Sequence, residues 1–294
     1  MPKFHLSTIA NILSIGVNAL LIILKLLIGF IFGSISLIAD GFDSVLDIVS
    51  AVIVGIGEKI SRKPPDQDHP FGHQKFQQLS SLVIVFTMVV SSYFIAEESI
   101  NRLISAVPYK LEIWILVAAI VSLGGKLGIS LALLKIGRKM QSPVYVANAK
   151  NYRTDAIASV FVIIAYIGTQ FDVWWLDPAC AFVIVALILY TGYEISKMSL
   201  PELLDKGPSE EVKEELRQIV LSFPEVKEVH IIRLRSVLGL FTGDFHILVD
   251  PSLSIHEAHE ISEKVKKKLE SGGQFRDLVI HIEPFTPEEQ MEAD

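Results

Sequence analysis

ADGFDSVLDIV, residues 39–49, lies inside an otherwise apolar run yet carries three aspartates, Asp40, Asp43 and Asp47. On a helix advancing about 100° per residue the three fall within roughly 60° of one another, so they share one face. Near the centre of a bilayer each aspartate costs about 2.5 to 3.5 kcal/mol, whereas the large apolar residues between Ile35 and Ile56 return about 4 to 7 kcal/mol together. Such a helix is not stable against lipid on all sides. Its acidic face is predicted to look into a protein interior or a water-filled cavity, where intramembrane carboxylates mark an ion or proton path.

The surrounding chain suits a membrane setting. Hydrophobic residues make up 51% of its 294 positions, and the mean hydropathy is +0.47, high for a chain that folds wholly in water. Apolar stretches near 9–32, 35–58, 78–100, 112–135, 145–169 and 174–197 are each long enough to cross a bilayer, so six spans are predicted. An even number leaves both ends on one side. The links after the second and fourth spans carry Arg62, Lys63, Lys75, Lys135, Arg138 and Lys139, while the opposite links hold only Arg102 and Lys110, which assigns both termini to the cytoplasm. The first apolar run is too long for a signal peptide and no small-residue cleavage site follows it. Cys180 is the only cysteine, so an intrachain disulfide and a cysteine-based zinc site are both excluded.

Residues 201–294 are different material. They hold 20 acidic and 11 basic residues, against 13 and 15 in residues 1–200, which reads as a polar domain attached to a membrane domain. The acidic balance argues against nucleic-acid binding. Pro201 is predicted to break the last membrane helix, and Ser209 to cap the next one. Strands are expected near 226–235, 242–250 and 277–283, with a second helix over 254–271 ended by Gly272 and Gly273. The order helix, strand, strand, helix, strand describes a small α+β sandwich.

The fifth span supplies a complement to the acidic helix. In VANAKNYRTDAIAS, residues 146–159, Asn151 and Asp155 lie four apart and again share a face. Asp43, Asp47, Asn151 and Asp155 together make a four-oxygen cage suited to a divalent cation. Carboxylates crowded in this way take up protons when no cation lies among them, so metal and proton compete for the same atoms. A cage opening alternately to the two sides would exchange cations outward for protons inward. Asp40, nearest the outer end of its helix, either supports the cage from behind or reaches the interface. Asn18, Lys25 and Lys126 are read as helix-packing groups or salt-bridge partners of an acidic neighbour.

Six spans, the Asp-x-x-x-Asp pair on the second, the matching pair on the fifth and a short α+β tail resemble the cation diffusion facilitator family of divalent-metal efflux transporters. The resemblance covers nearly the whole chain and includes GSISLIADGFDSVLDI at 33–48, DHPFGHQKFQ at 68–77, LDPACAFVIVALILYTGYEI at 176–195 and LLD at 203–205. It implies a homodimer in the lipid bilayer, pairing through ferredoxin-like, metallochaperone-like tails, with metal/proton antiport through each protomer. The chain would be no enzyme and would hold no prosthetic group, its metals being cargo and regulator; a prokaryotic cell (inner) membrane is the expected location. Asn151 departs from the family's zinc transporters, which commonly have histidine there. The all-oxygen cage suits harder ions, so Mn2+ is expected first, with Fe2+ or Zn2+ behind it.

The resemblance also implies sites outside the membrane. Asp66, His69 and His73 match the family's peripheral site in the loop after the second span, with Asp68 able to assist and Pro70 at a helix start turning His73 toward His69. A polar loop whose histidines cap the third helix is the structural alternative. His230, His246, His259 and His281 occupy family-like positions for tail metal sites, and Glu283 stands where an acidic ligand is often found. His281 and Glu283, two apart on a strand, face the same way. His256 lacks that support. Lys75 and Asp205 match a charged pair that ties the membrane helices to the tail. Two other functions compete: a membrane-anchored metal sensor, and an intramembrane aspartyl protease, whose Gly-x-Gly-Asp context is absent.

Overall fold

A computed structural model of the chain describes residues 2–105, 110–140 and 143–286, with side chains described for all of these except 2–15, 17, 137, 139, 140 and 143–148. The side chain of His5 and residues 287–294 of the tail lie outside the described set. Six long helices come first: α1 (Pro2–Phe32), α2 (Ile35–Ser61), α3 (Phe76–Ser105), α4 (Ile113–Met140), α5 (Pro143–Gln170) and α6 (Leu176–Leu203). The tail follows as α7 (Glu210–Leu221), β1 (Val226–Val237), β2 (Leu240–Val249), α8 (Ile255–Ser271) and β3 (Phe275–Pro284).

Among the described residues, Phe76–Ser105, Ile113–Ile136 and Leu176–Leu203 are long and apolar enough to cross a membrane, and Asn18–Phe32 is a shorter apolar stretch. The polar load of α2 and α5, which carry Asp40, Asp43, Asp47, Asn151 and Asp155, sets them apart. The chain parts into two compact units: Met1–Gly57 with Ser80–Ser196, and Glu58–Leu79 with Lys197–Asp294.

In the first unit the turn between α1 and α2 is made by Gly33, whose φ of +76° suits a residue without a side chain. Its N–H donates to the Gly29 carbonyl at 2.7 Å, closing α1. The two helices then approach closely. A Cβ on Gly29 would lie 2.8 Å from Ile38 Cγ1, and one on Gly41 would lie 2.6 Å from Leu26 Cδ2 and 3.4 Å from Lys25 Cβ. Gly41 thereby lets Lys25 lie flat against the acidic helix. The start of α2 is held by Asp177 of α6. Its Oδ2 accepts the Ile35 N–H at 2.8 Å, and its Oδ1 accepts the Ser34 and Ser36 hydroxyls at 2.8 and 2.5 Å and the Ser36 N–H at 3.3 Å. This pairs the otherwise orphaned first donors of a helix. Ile35, Leu37, Leu46, Ile84, Ile115 and Ile184 pack inside the bundle. Leu20, Phe86, Phe94 and Leu131 point outward, a pattern that fits a bundle whose solvent is hydrocarbon.

In the second unit α7 and α8 cover one face of a three-stranded sheet in the order β1-β2-β3. β1 pairs with β2 antiparallel, and β2 with β3 parallel, α8 supplying the crossover that a parallel pair needs. Phe245 and Ile247 of β2 are fully buried with Leu216 of α7 and Val265 of α8. Ser254 and Glu257 close a capping box at the start of α8. The α+β tail and its order of helix, strand, strand, helix, strand are as the sequence implies.

Two local expectations, at Pro201 and Pro70, need correcting, and the N-cap expected at Ser209 holds in position. Pro201 does not end α6, which continues to Leu203; a proline in the last turn forfeits few helical hydrogen bonds, and the Lys206 N–H caps the Pro201 carbonyl at 2.9 Å. Ser209 holds the N-cap position of α7 with extended backbone but its side chain caps no N–H. Pro70 lies in a turn rather than at a helix start, because Gly72 (φ +85°) breaks the chain before α3 begins at Phe76.

Candidate metal centres

The first centre is built by α2 and α5. One carboxylate oxygen from each of Asp43, Asp47 and Asp155 lies within 4.8 Å of the others. The Asn151 amide sits beside them and donates through Nδ2 to Asp155 Oδ2 at 3.2 Å. The position of α5 is fixed from both neighbours: Ser130 of α4 donates to the Ala149 carbonyl at 2.6 Å, and Asn18 of α1 donates to the Tyr152 hydroxyl at 2.7 Å. Hard oxygen donors on two rigid helices can surround an ion of Mn2+ or Mg2+ type.

Asp40 is fully buried and is therefore no interfacial group. Its Oδ1 accepts Lys25 Nζ at 2.9 Å and Lys126 Nζ at 3.3 Å, and its Oδ2 accepts the Ser159 hydroxyl at 2.8 Å and the Ser122 hydroxyl at 3.5 Å. Lys25 also donates to Ser44 Oγ at 2.9 Å. Lys126 reaches past Asp40 to Asp43 Oδ2 at 3.5 Å and to the Asp155 main-chain carbonyl at 3.1 Å. The expected salt-bridge partners are thus paired with Asp40, since a buried ammonium needs an anion and hydrogen-bond acceptors at once. The serines that complete this cage gave no signal in the sequence beyond their occurrence in apolar helices.

The second centre lies in the loop between α2 and α3. Asp66 Oδ1 is 3.4 Å from His69 Nδ1, and Asp66 Oδ2 is 3.4 Å from His73 Nε2. The three donor atoms gather within 4.8 Å. Asp66 is oriented by accepting the main-chain N–H groups of Asp68 and His69, so Asp68 contributes its backbone here and not its carboxylate. The His69 N–H bond is the main influence holding the Asp66 carboxyl below its usual range. His73 is buried, packs on Phe76 and keeps Nδ1 without a hydrogen-bond partner.

The third centre is set by strand register. His230 stands opposite His246, and His246 opposite His281, so three imidazoles line up across three strands. Glu283 lies two residues beyond His281 on the same face. Its Oε1 is 2.8 Å from His246 Nδ1 and 3.3 Å from His281 Nε2, and its Oε2 is 3.0 Å from His230 Nε2. Burial works to raise the Glu283 carboxyl, but its bonds to His246 and His230 outweigh that and lower it. Phe245 and Ile247, the neighbours of His246, point to the helices, so the histidine row occupies the opposite face of the sheet. His259 is exposed on α8 and is not brought to this row; His256 lies 3.7 Å from Glu260.

Lys75 and Asp205 do meet. Nζ lies 2.8 Å from Asp205 Oδ1, and Arg235 of β1, which the sequence reading did not single out, reaches Asp205 Oδ2 at 3.3 Å while its guanidinium lies 5.3 Å from the centre of the Phe71 ring. Burial is the largest single influence and works to raise the Asp205 carboxyl, but Lys75 and Arg235 together outweigh it and hold the group below its usual range.

Comparison with known proteins agrees with this architecture. Residues 11–204 match the cation efflux transmembrane domain, and residues 208–285 match the cation efflux protein cytoplasmic domain, a dimerisation module. The chain is 30% identical over 272 residues to the uncharacterized transporter MJ0449 of Methanocaldococcus jannaschii, covering 92% of this chain and 96% of that one. It is 29% identical over 277 residues to the manganese efflux system protein MneS of Bacillus subtilis, covering 93% and 94%. The magnetosome protein MamM of Magnetospirillum gryphiswaldense is 31% identical over 261 residues, covering 86% and 80%. Proteins of this kind are membrane transporters of divalent metals and not enzymes, which removes the protease reading. With two thirds of its length in the transmembrane match and most of the remainder in the cytoplasmic one, the chain belongs to the cation diffusion facilitator family.

Proposed function

We propose that the protein exports divalent cations, Mn2+ before Fe2+ or Zn2+, in exchange for protons moving inward. The observation that carries this reading is the gathering of Asp43, Asp47 and Asp155 oxygens from two helices within 4.8 Å. In it Asp43, Asp47, Asn151 and Asp155 are the transport ligands. The cluster offers oxygen alone, which favours harder ions over zinc, and manganese efflux is the function named for the relatives MneS and MneP of Bacillus subtilis. Carboxylates that lose a dication must be neutralised before they turn back through a low-dielectric setting. Protons serve that need, which is the physical basis of antiport here.

In this reading residues 1–200 form six membrane crossings with both termini cytoplasmic, in the cell (inner) membrane, and residues 201–294 form the tail through which two copies pair. Asp66, His69 and His73 form a peripheral site, while His230, His246, His281 and Glu283, with His259 more remote, sense metal in the tail. Lys75 and Asp205 fasten the loop to the tail. A non-transporting sensor has no use for buried carboxylates whose insertion costs several kcal/mol.

The test is flux of Mn2+, Fe2+, Zn2+ and Co2+ into proteoliposomes under an imposed proton gradient, with wild type beside Asn151→His. Mn2+ movement that stops when the gradient is collapsed, and a shift toward Zn2+ in the variant, are expected. Zn2+ flux with no Mn2+ flux in the wild type overturns the preference, and no flux of any ion revives the sensor.

A further inference from the structure

The Lys126 ammonium is completely buried, yet it touches the acidic helix at two carboxylates and the other site helix at a main-chain carbonyl. Packing alone does not require a charge there. Asp40 already has Lys25 at 2.9 Å, so Lys126 is a second cation on one anion, and its surplus charge faces Asp43. In their ordinary charged forms Asp40, Asp43, Asp47 and Asp155 with Lys25 and Lys126 leave two negative charges, which one dication balances. Without Lys126 three would remain.

Resting on the transport-site assignment above, we propose that Lys126 is a specificity-determining residue of that site: a tethered cation that limits the charge of the Asp43, Asp47 and Asp155 cluster to what one divalent ion neutralises. Its amine shares Asp43 in the structure, at 3.5 Å, and yields that oxygen when the ion enters. Asp40, both of whose oxygens are occupied by ammonium and hydroxyl groups, positions Lys126 and stays out of the ligand set. A fixed charge of this kind weakens ground-state binding and favours release, so it trades affinity for turnover.

The experiment is Mn2+ uptake kinetics in proteoliposomes. Lys126→Met, which leaves the neutral Lys25–Asp40 pair intact, is expected to lower KM about tenfold, equivalent to about 1.4 kcal/mol, and to lower kcat because the ion leaves more slowly. Lys126→Arg keeps the charge and returns KM to within about threefold of wild type, whatever its kcat. Lys126→Met combined with Asp40→Asn restores the charge balance and brings KM back, where a merely structural role predicts further damage. An unchanged or raised KM in Lys126→Met, or equal KM values for the Met and Arg variants, overturns the proposal. If Lys126→Met does not elute as folded dimer, Lys126→Gln and its double variant with Asp40→Asn are read in its place by the same criteria. Asp47→Asn separates the two levels: if it still transports Mn2+ the site assignment itself fails, and if it abolishes transport while Lys126→Met matches wild type only the role of Lys126 fails.

Discussion

Replacing Asp177 by alanine tests how the start of the acidic helix is held. This carboxylate accepts four hydrogen bonds from three consecutive residues, and two of the donors are the main-chain N–H groups of Ile35 and Ser36. Alanine leaves both N–H groups buried without an acceptor, at about 1 to 3 kcal/mol each. The hydroxyls lose less, because Ser34 and Ser36 lie 3.3 Å apart and can pair with each other, and Ser34 Oγ already accepts the Leu37 N–H at 3.3 Å. The total is about 2 to 6 kcal/mol, or roughly 3 to 10 °C in melting temperature for a chain of this size. Asparagine retains one acceptor oxygen and should lose about half as much. Scanning fluorimetry of the detergent-purified dimer reads the shift, with Ser36→Ala as a mild comparison. An Asp177→Ala protein that melts within about 1 °C of wild type would refute the accounting, since it would mean water or another group already serves those N–H donors.

Three further outcomes are expected. Phe245→Ala empties the centre of the tail core, where the ring is fully buried, and should cost about 3 to 5 kcal/mol in chemical denaturation of the tail transition. Because Lys75 and Arg235 hold the folded Asp205 carboxyl below its unfolded value, its contribution is present above the usual carboxylate range near pH 4 and is lost as pH falls through the lower folded value. The stability gap between wild type and Asp205→Asn, followed by protease susceptibility across pH 7 to 3, should therefore close at the acid end; the half-exposed pair makes the gap small throughout. If the tail row senses metal as proposed, His246→Ala, which removes its middle imidazole, should abolish metal-dependent energy transfer between fluorophores on the two tails, while His256→Gln, on the exposed side of α8, should not.

The acidic face of α2 was legible because helical spacing alone determines that Asp43 and Asp47 point together, and the pairing with Asp155 followed from an identical spacing on α5. The tail order was legible from its alternating and helical periods. Other features depend on neighbours that a linear pattern does not specify. That Lys25 and Lys126 converge on one aspartate requires the rotation of α1 and α4, and that rotation depends on Gly41 admitting Lys25 to contact. Asp177 gave only the sign of an acid in the first turn of α6, with nothing to say that it serves the start of α2 and not its own helix. Pro201 is tolerated inside α6 because the cost of a proline depends on how near the helix end it falls. His259 entered the tail set through its position in the chain, whereas the sheet register excludes it from the row by putting α8 on the other face.

The tail's histidine row and its apolar core are two readings of one alternation along β2. Phe245, His246 and Ile247 point in turn toward the helices, away, and toward them again, so neither set can be re-sited alone. Deleting or inserting a single residue in this strand would invert both: phenylalanine and isoleucine would surface where imidazoles stood, and a histidine would be thrust among Val265 and Leu216. Evolution can therefore tune the chemistry of this row by exchanging side chains in place, but length changes are barred to it, and variation in length has to fall in the turns that bracket the strand.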